Sequence, residues 1–250
     1  MQNVLDKFNM KGRTVLVTGG GGLLGRQFAL ALAQAGADVM LADLAFEAAA
    51  DQAEVIRAEG LSAAALAVDV VDPESTREMV QQTLARFGRL DVLINSAALD
   101  PKFDPQHQSE QIANAFETYS LEAWRKALDV NLTGMFLASQ AAVQPMLAQS
   151  QGVIINICST YGLNGPDQRI YSRPDGTHSY KPVYYSVTKA GVLGFTRYLA
   201  AYYAGKNIRV NALTPGGVYN QHDDVFVKAY SAKTILGRMA NLDEMSAAML

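Results

Sequence analysis

Six short runs rich in Val, Ile, Leu and Ala recur along the chain, with longer stretches of helical spacing between them, and this alternation most limits the possible folds. The runs are TVLVT (14–18), DVMLAD (38–43), AALAVDV (64–70), DVLINS (91–96), GVIINICS (152–159) and IRVNAL (208–213). Their near-continuous apolarity predicts strands buried on both faces, because a half-exposed strand would alternate apolar and polar residues. Between them lie GRQFALALAQAG, FEAAADQAEVIRAEG, ESTREMVQQTLARFG, the stretch 121–148 and TKAGVLGFTRYLAAYYAG, several ending in glycine as helices do. Strand–helix repetition implies an α/β fold: a doubly wound parallel sheet with helices on both faces. Ligands in that architecture bind beyond the carboxyl ends of the strands. The chain has 250 residues, 49% of them apolar, and shows no repeat or linker, so a single domain spanning 1–250 is expected.

Composition excludes several classes. A net charge of −3 gives no electrostatic reason to expect nucleic acid or an anionic membrane as a partner. The N-terminal MQNVLDKFNMKG lacks a signal-peptide apolar run, and no uncharged apolar stretch reaches the ~20 residues that span a bilayer. The single cysteine, Cys158, cannot form an intrachain disulfide, and a reducing cytoplasm is the simplest location. Strand alternation sets Cys158 opposite Ser159 as a core thiol. His107, His178 and His222 fit no metal-ligand spacing, so no metal is expected. Trp124 is expected in the core beneath Asn131, and Arg86 and Arg89 in a solvated helix end.

The first strand runs into TGGGGLLG, Thr18 to Gly25. Glycines let a backbone turn tightly and approach a pyrophosphate, and the helix that follows offers free N–H groups. Asp43 ends the second strand, where a carboxylate can bind an adenosine ribose 2′-OH and repel a 2′-phosphate, or merely cap a helix. Asp69 could likewise serve an adenine edge or cap the next segment.

VYYSVTKAG (183–191) holds two tyrosines, but only Tyr185 stands four residues before Lys189, on the same helical face. A tyrosine with pKa about 10 is a poor acid–base group at neutral pH. An ammonium about 4.5 Å away would stabilise the phenolate by about 3.7 kcal/mol at an effective dielectric of about 20, drawing its pKa towards neutrality.

These elements, in this order, resemble the short-chain dehydrogenase/reductase family in its short form. TGGGGLLG is similar to its nucleotide loop, Asp69-Val70 to its adenine contact, NSAA (95–98) to its NNAG, and Asn131, Ser159, Tyr185, Lys189 and Pro215-Gly216 to its active-site sequence and nicotinamide-side turn. Gluconate-dehydrogenase-like and flagellin-modification-type members are the branches it looks most like. The resemblance implies a Rossmann-like three-layer sandwich and an NAD(H)-dependent oxidoreductase acting on a secondary alcohol or ketone. A homo-oligomer, a dimer or tetramer, is also expected, assembled through the sheet edge and the long helices. Catalysis would fall to Tyr185 as general acid/base, Lys189, Ser159 holding the substrate oxygen, and Asn131 holding a water that links Lys189 to solvent. The cofactor would meet Gly19, Gly22, Leu24, Gly25, Asp43, Asp69, Val70, Asn95, Ala97, Tyr185, Lys189, Pro215, Gly216 and Val218.

The chain departs from the family pattern in places. Leu23 stands where many short-chain members have glycine, and Gly19, Gly22 and Gly25 match the TGxxGxxG of the extended branch; Ala98 replaces the last glycine of NNAG. A sugar-nucleotide epimerase or dehydratase that recycles bound NAD is therefore one alternative, and a non-catalytic NAD-binding regulatory protein another. Ser159 and Tyr185 are unusually far apart, and the extra residues 164–182 are polar and punctuated by Pro and Gly. They are expected to form a loop at the mouth of the site, with Arg169, Arg173, His178 and Lys181 as donors and Tyr171 and Tyr180 as stacking surfaces. The stretch 99–120 adjoins the same mouth. A polar insert points to a sugar, sugar acid or polyol as substrate. The end at Leu250, inside LDEMSAAML, leads us to expect that a C-terminal strand is missing.

Overall fold

The computed structural model describes residues 3–100, 114–174, 176 and 178–250. His107 and most of the 99–120 stretch lie outside the described residues. Six strands form one parallel sheet in the order β3-β2-β1-β4-β5-β6. They are β1 (Thr14–Thr18), β2 (Asp38–Asp43), β3 (Ala63–Ala67), β4 (Val92–Asn95), β5 (Gly152–Ile157) and β6 (Ile208–Leu213). Strand order reverses between β1 and β4, which pair directly, Val15 opposite Val92 and Thr18 opposite Asn95. A crevice opens at such a switch point.

β1 is buried along its whole length, and successive residues serve opposite faces. Val15 and Val17 pack with α1 (Leu23–Gln34) and α2 (Phe46–Ala58), through Phe28, Leu32, Ala53 and Ile56. Leu16 faces the other layer, with Met79 from α3 (Pro73–Phe87), Ala142 and Met146 from α5 (Gly134–Ala148) and Leu199 from α6 (Val183–Tyr202). The molecule is thus a single-domain three-layer α/β sandwich. α3 shows how local sequence sets bounds: Asp72 caps its N-terminus by accepting from the Glu74 amide, Pro73 follows, and Gly88 ends it at φ 80°.

Several expectations are corrected. β3 stops at Ala67 and β5 at Ile157, short of the expected 70 and 159, because Asp69 and Ser159 bend the chain with side-chain-to-backbone hydrogen bonds. Arg89 is not a solvated helix end: with Arg13 it holds Asp91, which is buried and also accepts from the Thr14 amide. Trp124 is half-buried on α4 (Leu121–Leu128), not part of the core. The stretch 121–148 is not one regular helix, since the π-helical turn Asp129–Thr133 separates α4 from α5. The segment Leu242–Met249 is a 3-10 helix with an Asn241/Glu244 capping box, and its Met249 packs in the α1 layer.

Candidate active site

The loop after β1 is shaped by close approach. Gly19 has φ 67°, and a Cβ there would lie 2.8 Å from the Ala97 backbone; a Cβ on Gly25 would lie 2.1 Å from the Gly19 carbonyl oxygen. Only glycine fits at both. Gly22 caps α1 without a side-chain bond, leaving the first amides of that helix available to an anion. Leu24 turns towards the α1 layer, packed against its core. Asp43 fastens the loop from β2: its carboxylate accepts from the Gly21 amide at 2.9 Å and the Ala45 amide at 3.0 Å. Arg26 carries no sequence motif, yet its Nε donates to the Gly21 carbonyl at 2.7 Å, bringing a cation to the same residue Asp43 holds.

Across the switch point, Thr18 accepts from the amides of Ser96 and Ala97 at 3.2 and 3.3 Å, fixing the chain after β4. Asn95 differs from its expected role. Its amide donates to Ser139 Oγ and Asn156 Oδ1, and Asn156 donates to Thr196, a buried network behind the crevice. Asp69 accepts from the Val71 amide and its own amide donates to Ser75, a turn ahead of α3, whose cap is Asp72, while Val70 is buried against Gly134.

The π turn places Asn131 out of regular helical register, and such turns recur at functional sites. Its Oδ1 accepts from the Leu99 amide at 2.6 Å, and its Nδ2 donates to the Leu99 carbonyl at 3.1 Å and to Thr188 Oγ1 at 3.2 Å. The side chain is a splint between the β4 loop and α6. The expected water would have to compete with these partners. Thr188, fully buried, was not singled out by any motif.

α6 carries the tyrosine pair. Tyr184 is buried against Tyr119, ring centroids 6.1 Å apart. Tyr185 has Tyr161 edge-on at 6.3 Å. Lys189 is 5% exposed, its Nζ donating to the Ile157 carbonyl at 2.8 Å and lying 5.8 Å from the Tyr185 ring centroid. Burial pushes the Tyr185 phenol up, Asp100 adds to this, and hydrogen bonding with Ser159 opposes it. Burial also pushes the Lys189 ammonium down. Burial is thus the largest influence on the Tyr185 phenol in this fold, and it runs against the expected pull of Lys189 towards neutrality. Ser159 is buried, its Oγ accepting from the Tyr161 amide at 3.2 Å, and Cys158 turns the other way to pack with Met135 and Val192. The turn at Pro215–Val218 is pinned from both sides. The Thr160 amide donates to the Pro215 carbonyl, the Gly217 amide to the Tyr230 hydroxyl, Gly216 lies near that hydroxyl, and Val218 bridges Ala240.

The segment 164–182 packs on α7 (Asp224–Ser231). Ile170 is buried with Phe226 and Met239, and Tyr171 lies 5.4 Å from the Phe226 ring while its hydroxyl meets that of Tyr161. Arg169 is 84% exposed and pairs with Asp167; Arg173 pairs with Asp223, the cap of α7; His178 Nδ1 meets Ser172 Oγ. The cation that does meet Tyr185 from this segment is Lys181, whose Nζ lies 3.8 Å from the ring centroid.

A family model described as short chain dehydrogenase matches residues 13–229. The chain belongs to the short chain dehydrogenase family. A cyclohexanol dehydrogenase from an Acinetobacter species is 32% identical over 242 residues, covering 96% of this chain and 86% of that one. Among solved structures, a gluconate 5-dehydrogenase from Burkholderia cenocepacia in complex with NADP and tartrate superposes with a TM-score of 0.84 at 28% identity, covering 99% and 90% of the two chains. An NAD+-bound xylitol dehydrogenase gives 0.81 at 25% identity, covering 96% and 91%. This short chain dehydrogenase is accordingly an oxidoreductase acting on CH–OH groups with a nicotinamide cofactor. No helix among the described residues is long and apolar enough to cross a membrane.

Proposed function

We propose that this dehydrogenase uses NAD(H) to interconvert a secondary alcohol and a ketone in a polar, carbohydrate-like substrate, a sugar, sugar acid or polyol. The observation that carries the reading is the convergence of Ser159, Tyr185 and Lys189, all largely buried, at the carboxyl end of the sheet. The residues present fit the cofactor: the loop packs so closely at Gly19 and Gly25 that only glycine is accepted, and Gly22 caps α1 without a side-chain bond, which leaves amides for a phosphate. The Gly19–Gly25 loop and the α1 N-terminus would hold the pyrophosphate, Asp43 the adenosine ribose, and Asp69 and Val70 would border the adenine. Ala97, Pro215, Gly216 and Val218 would border the nicotinamide. When bound, the nicotinamide supplies the hydride acceptor or donor.

The protein's task is the proton. Ser159 orients the substrate oxygen, and Tyr185 Oη gives or takes its proton. Lys189, anchored on the Ile157 carbonyl, keeps a positive charge beside the phenolate when it forms. Asn131 keeps the β4 loop and α6 in register around them. The NAD preference rests on Asp43, whose negative charge disfavours a 2′-phosphate. The carbohydrate reading rests on the polar segment 164–182 beside Tyr185. It is consistent with relatives named for gluconate and xylitol. A homo-oligomer is supported by the exposed Tyr198 and Tyr202 on α6 and Phe136 on α5, and sedimentation tests it. A cytoplasmic location fits the lone buried thiol of Cys158.

Following NADH and NADPH absorbance across polyols, sugar acids and alicyclic alcohols tests the function. We expect net turnover on a polyol or sugar acid with NAD preferred. Preference for NADP would overturn the Asp43 reading. Epimerised product without net cofactor change would favour the epimerase alternative, and cofactor binding with no reaction would favour a regulatory protein.

A further inference from the structure

Two ammonium groups face the Tyr185 ring among the described residues, and they differ in what holds them. Lys189 is buried, with its Nζ on a backbone carbonyl. Lys181 lies closer to the ring, and its side chain is only 14% exposed. An ammonium so far removed from water requires an anionic or strongly polar partner. Its partner is Asp100, with Nζ 2.6 Å from Oδ1.

The two members of this pair are held unequally. Lys181 is fixed at its backbone: its amide donates to Gln168 Oε1 at 2.9 Å, and Gln168 Nε2 returns a bond to its carbonyl at 3.0 Å. Gln168 opens the turn Gln168–Tyr171, which Ile170 anchors in the apolar cluster on α7. Asp100 is 54% exposed, and no other hydrogen bond to its carboxylate is seen among the described residues. The cation is therefore fixed and its carboxylate replaceable. The other cations of the segment are engaged elsewhere, Arg169 by Asp167 and Arg173 by Asp223.

We infer that Lys181 is the residue that selects the substrate's charge, holding a carboxylate of the substrate in the place Asp100 occupies. This rests on the proposed oxidoreductase reading and narrows it to hydroxy or keto acids whose carboxylate lies close along the chain to the reacting carbon. A neutral alcohol leaves the Lys181–Asp100 pair in place. An acid exchanges one carboxylate for another, so the ammonium loses no partner. Asp100 then returns to water at small cost, since it is already half exposed.

The test is calorimetric titration of the protein saturated with NADH or NADPH, where oxidation of the probe cannot proceed. The probes are three acids with their neutral amides: gluconate and gluconamide, tartrate and tartramide, cyclohexanecarboxylate and cyclohexanecarboxamide. The wild type should bind at least one acid more tightly than its amide. Lys181→Met should reduce that acid-to-amide ratio by about 10- to 150-fold, the range of a charge-assisted hydrogen bond. Lys181→Arg should recover most of the ratio, and Asp100→Asn should raise it. A purely structural role would weaken acid and amide alike and leave the ratio unchanged, which would overturn the inference. No acid preferred in the wild type would overturn it too. Failure of the oxidoreductase reading shows separately, as absence of turnover on every alcohol, while the binding ratio remains measurable.

Discussion

The nucleotide loop and the 164–182 segment border the same end of the sheet, yet they are held in different ways. The loop is fixed mostly through backbone: Gly20 donates to the Ala42 carbonyl, Gly22 to Gly19, and Gly19 touches the Ala97 main chain. The segment is fixed through side chains: Arg173 on Asp223, Asp167 on Lys233, Tyr171 on Phe226, Gln168 on Lys181. A backbone cradle suits a ligand part that does not vary, since it recognises phosphate by N–H geometry and tolerates no added atoms. A surface built from side chains can change its chemistry residue by residue while the scaffold stays constant. The contrast separates cofactor binding from substrate choice, and variants on the two sides should therefore fail differently.

Of the variants that set these two regions against each other, Asp43 should show the largest effect. Its charge should give a 30- to 1000-fold preference for NAD over NADP in kcat/KM, about 2–4 kcal/mol. Asp43→Asn should remove most of that preference while keeping an acceptor for the Gly21 amide; an unchanged preference would move discrimination to another residue, with Arg26 next to be tested. Gly25→Ala forces a methyl group against a backbone carbonyl, so the loop must shift. Denaturant unfolding should report a loss of about 3 kcal/mol, at the upper end for overpacking, together with weakened cofactor binding.

Asp91 lies at the opposite end of β4 from the site and should affect stability alone. Burial raises its carboxyl, but hydrogen bonds from Arg89, the Thr14 amide and Arg13 more than reverse this, leaving its pKa below the ordinary value. A depressed folded pKa stabilises the protein above the unfolded value, about 4, and that contribution is lost as pH falls through the folded value. Asp91→Asn should cost about 2 kcal/mol at pH 7, reduced by the partial exposure of both arginines, and should flatten the acid limb of the stability curve. Equal acid sensitivity in the variant would count against this assignment.

The smallest effects belong to the side-chain-built segment. Arg173→Ala, which breaks a largely buried pair with Asp223, should lower stability by about 1–2 kcal/mol. Arg169→Ala, which removes an exposed pair, should leave stability essentially unchanged. Neither should alter cofactor affinity, and a drop in NAD binding from either would erase the distinction between the two regions.

The same contrast explains what could be read from the chain itself. β1, β2 and β6 match their predicted bounds, because continuous apolar runs on a buried parallel sheet are local signals. The glycine loop and the Tyr185–Lys189 spacing are local as well. The features missed depend on residues far apart in sequence. Asn95 looked like a crevice residue until Ser139 and Asn156 claimed its amide. The π turn has no composition of its own; it coincides with the Asn131 splint to Leu99 and Thr188. Arg89 became a buried-carboxylate partner only because Asp91 also reaches Arg13 and Thr14. Lys181 reads from the chain only as one donor among four, and its place over Tyr185 depends on how 164–182 packs on α7.

The central claim is that Tyr185, and not its neighbour, moves the proton. Tyr184 and Tyr185 are adjacent on α6, and burial raises the pKa of both, so titration alone does not distinguish them. Their surroundings do: Tyr185 meets Ser159, Lys181 and Lys189, whereas Tyr184 meets Tyr119. Single-turnover measurement of kcat for Tyr185→Phe and Tyr184→Phe, with cofactor Kd measured on both, decides the matter. The account predicts a loss of about 10²–10⁴-fold for Tyr185→Phe with cofactor affinity retained, and little change for Tyr184→Phe. Equal losses in the two variants, or full activity in Tyr185→Phe, would contradict it.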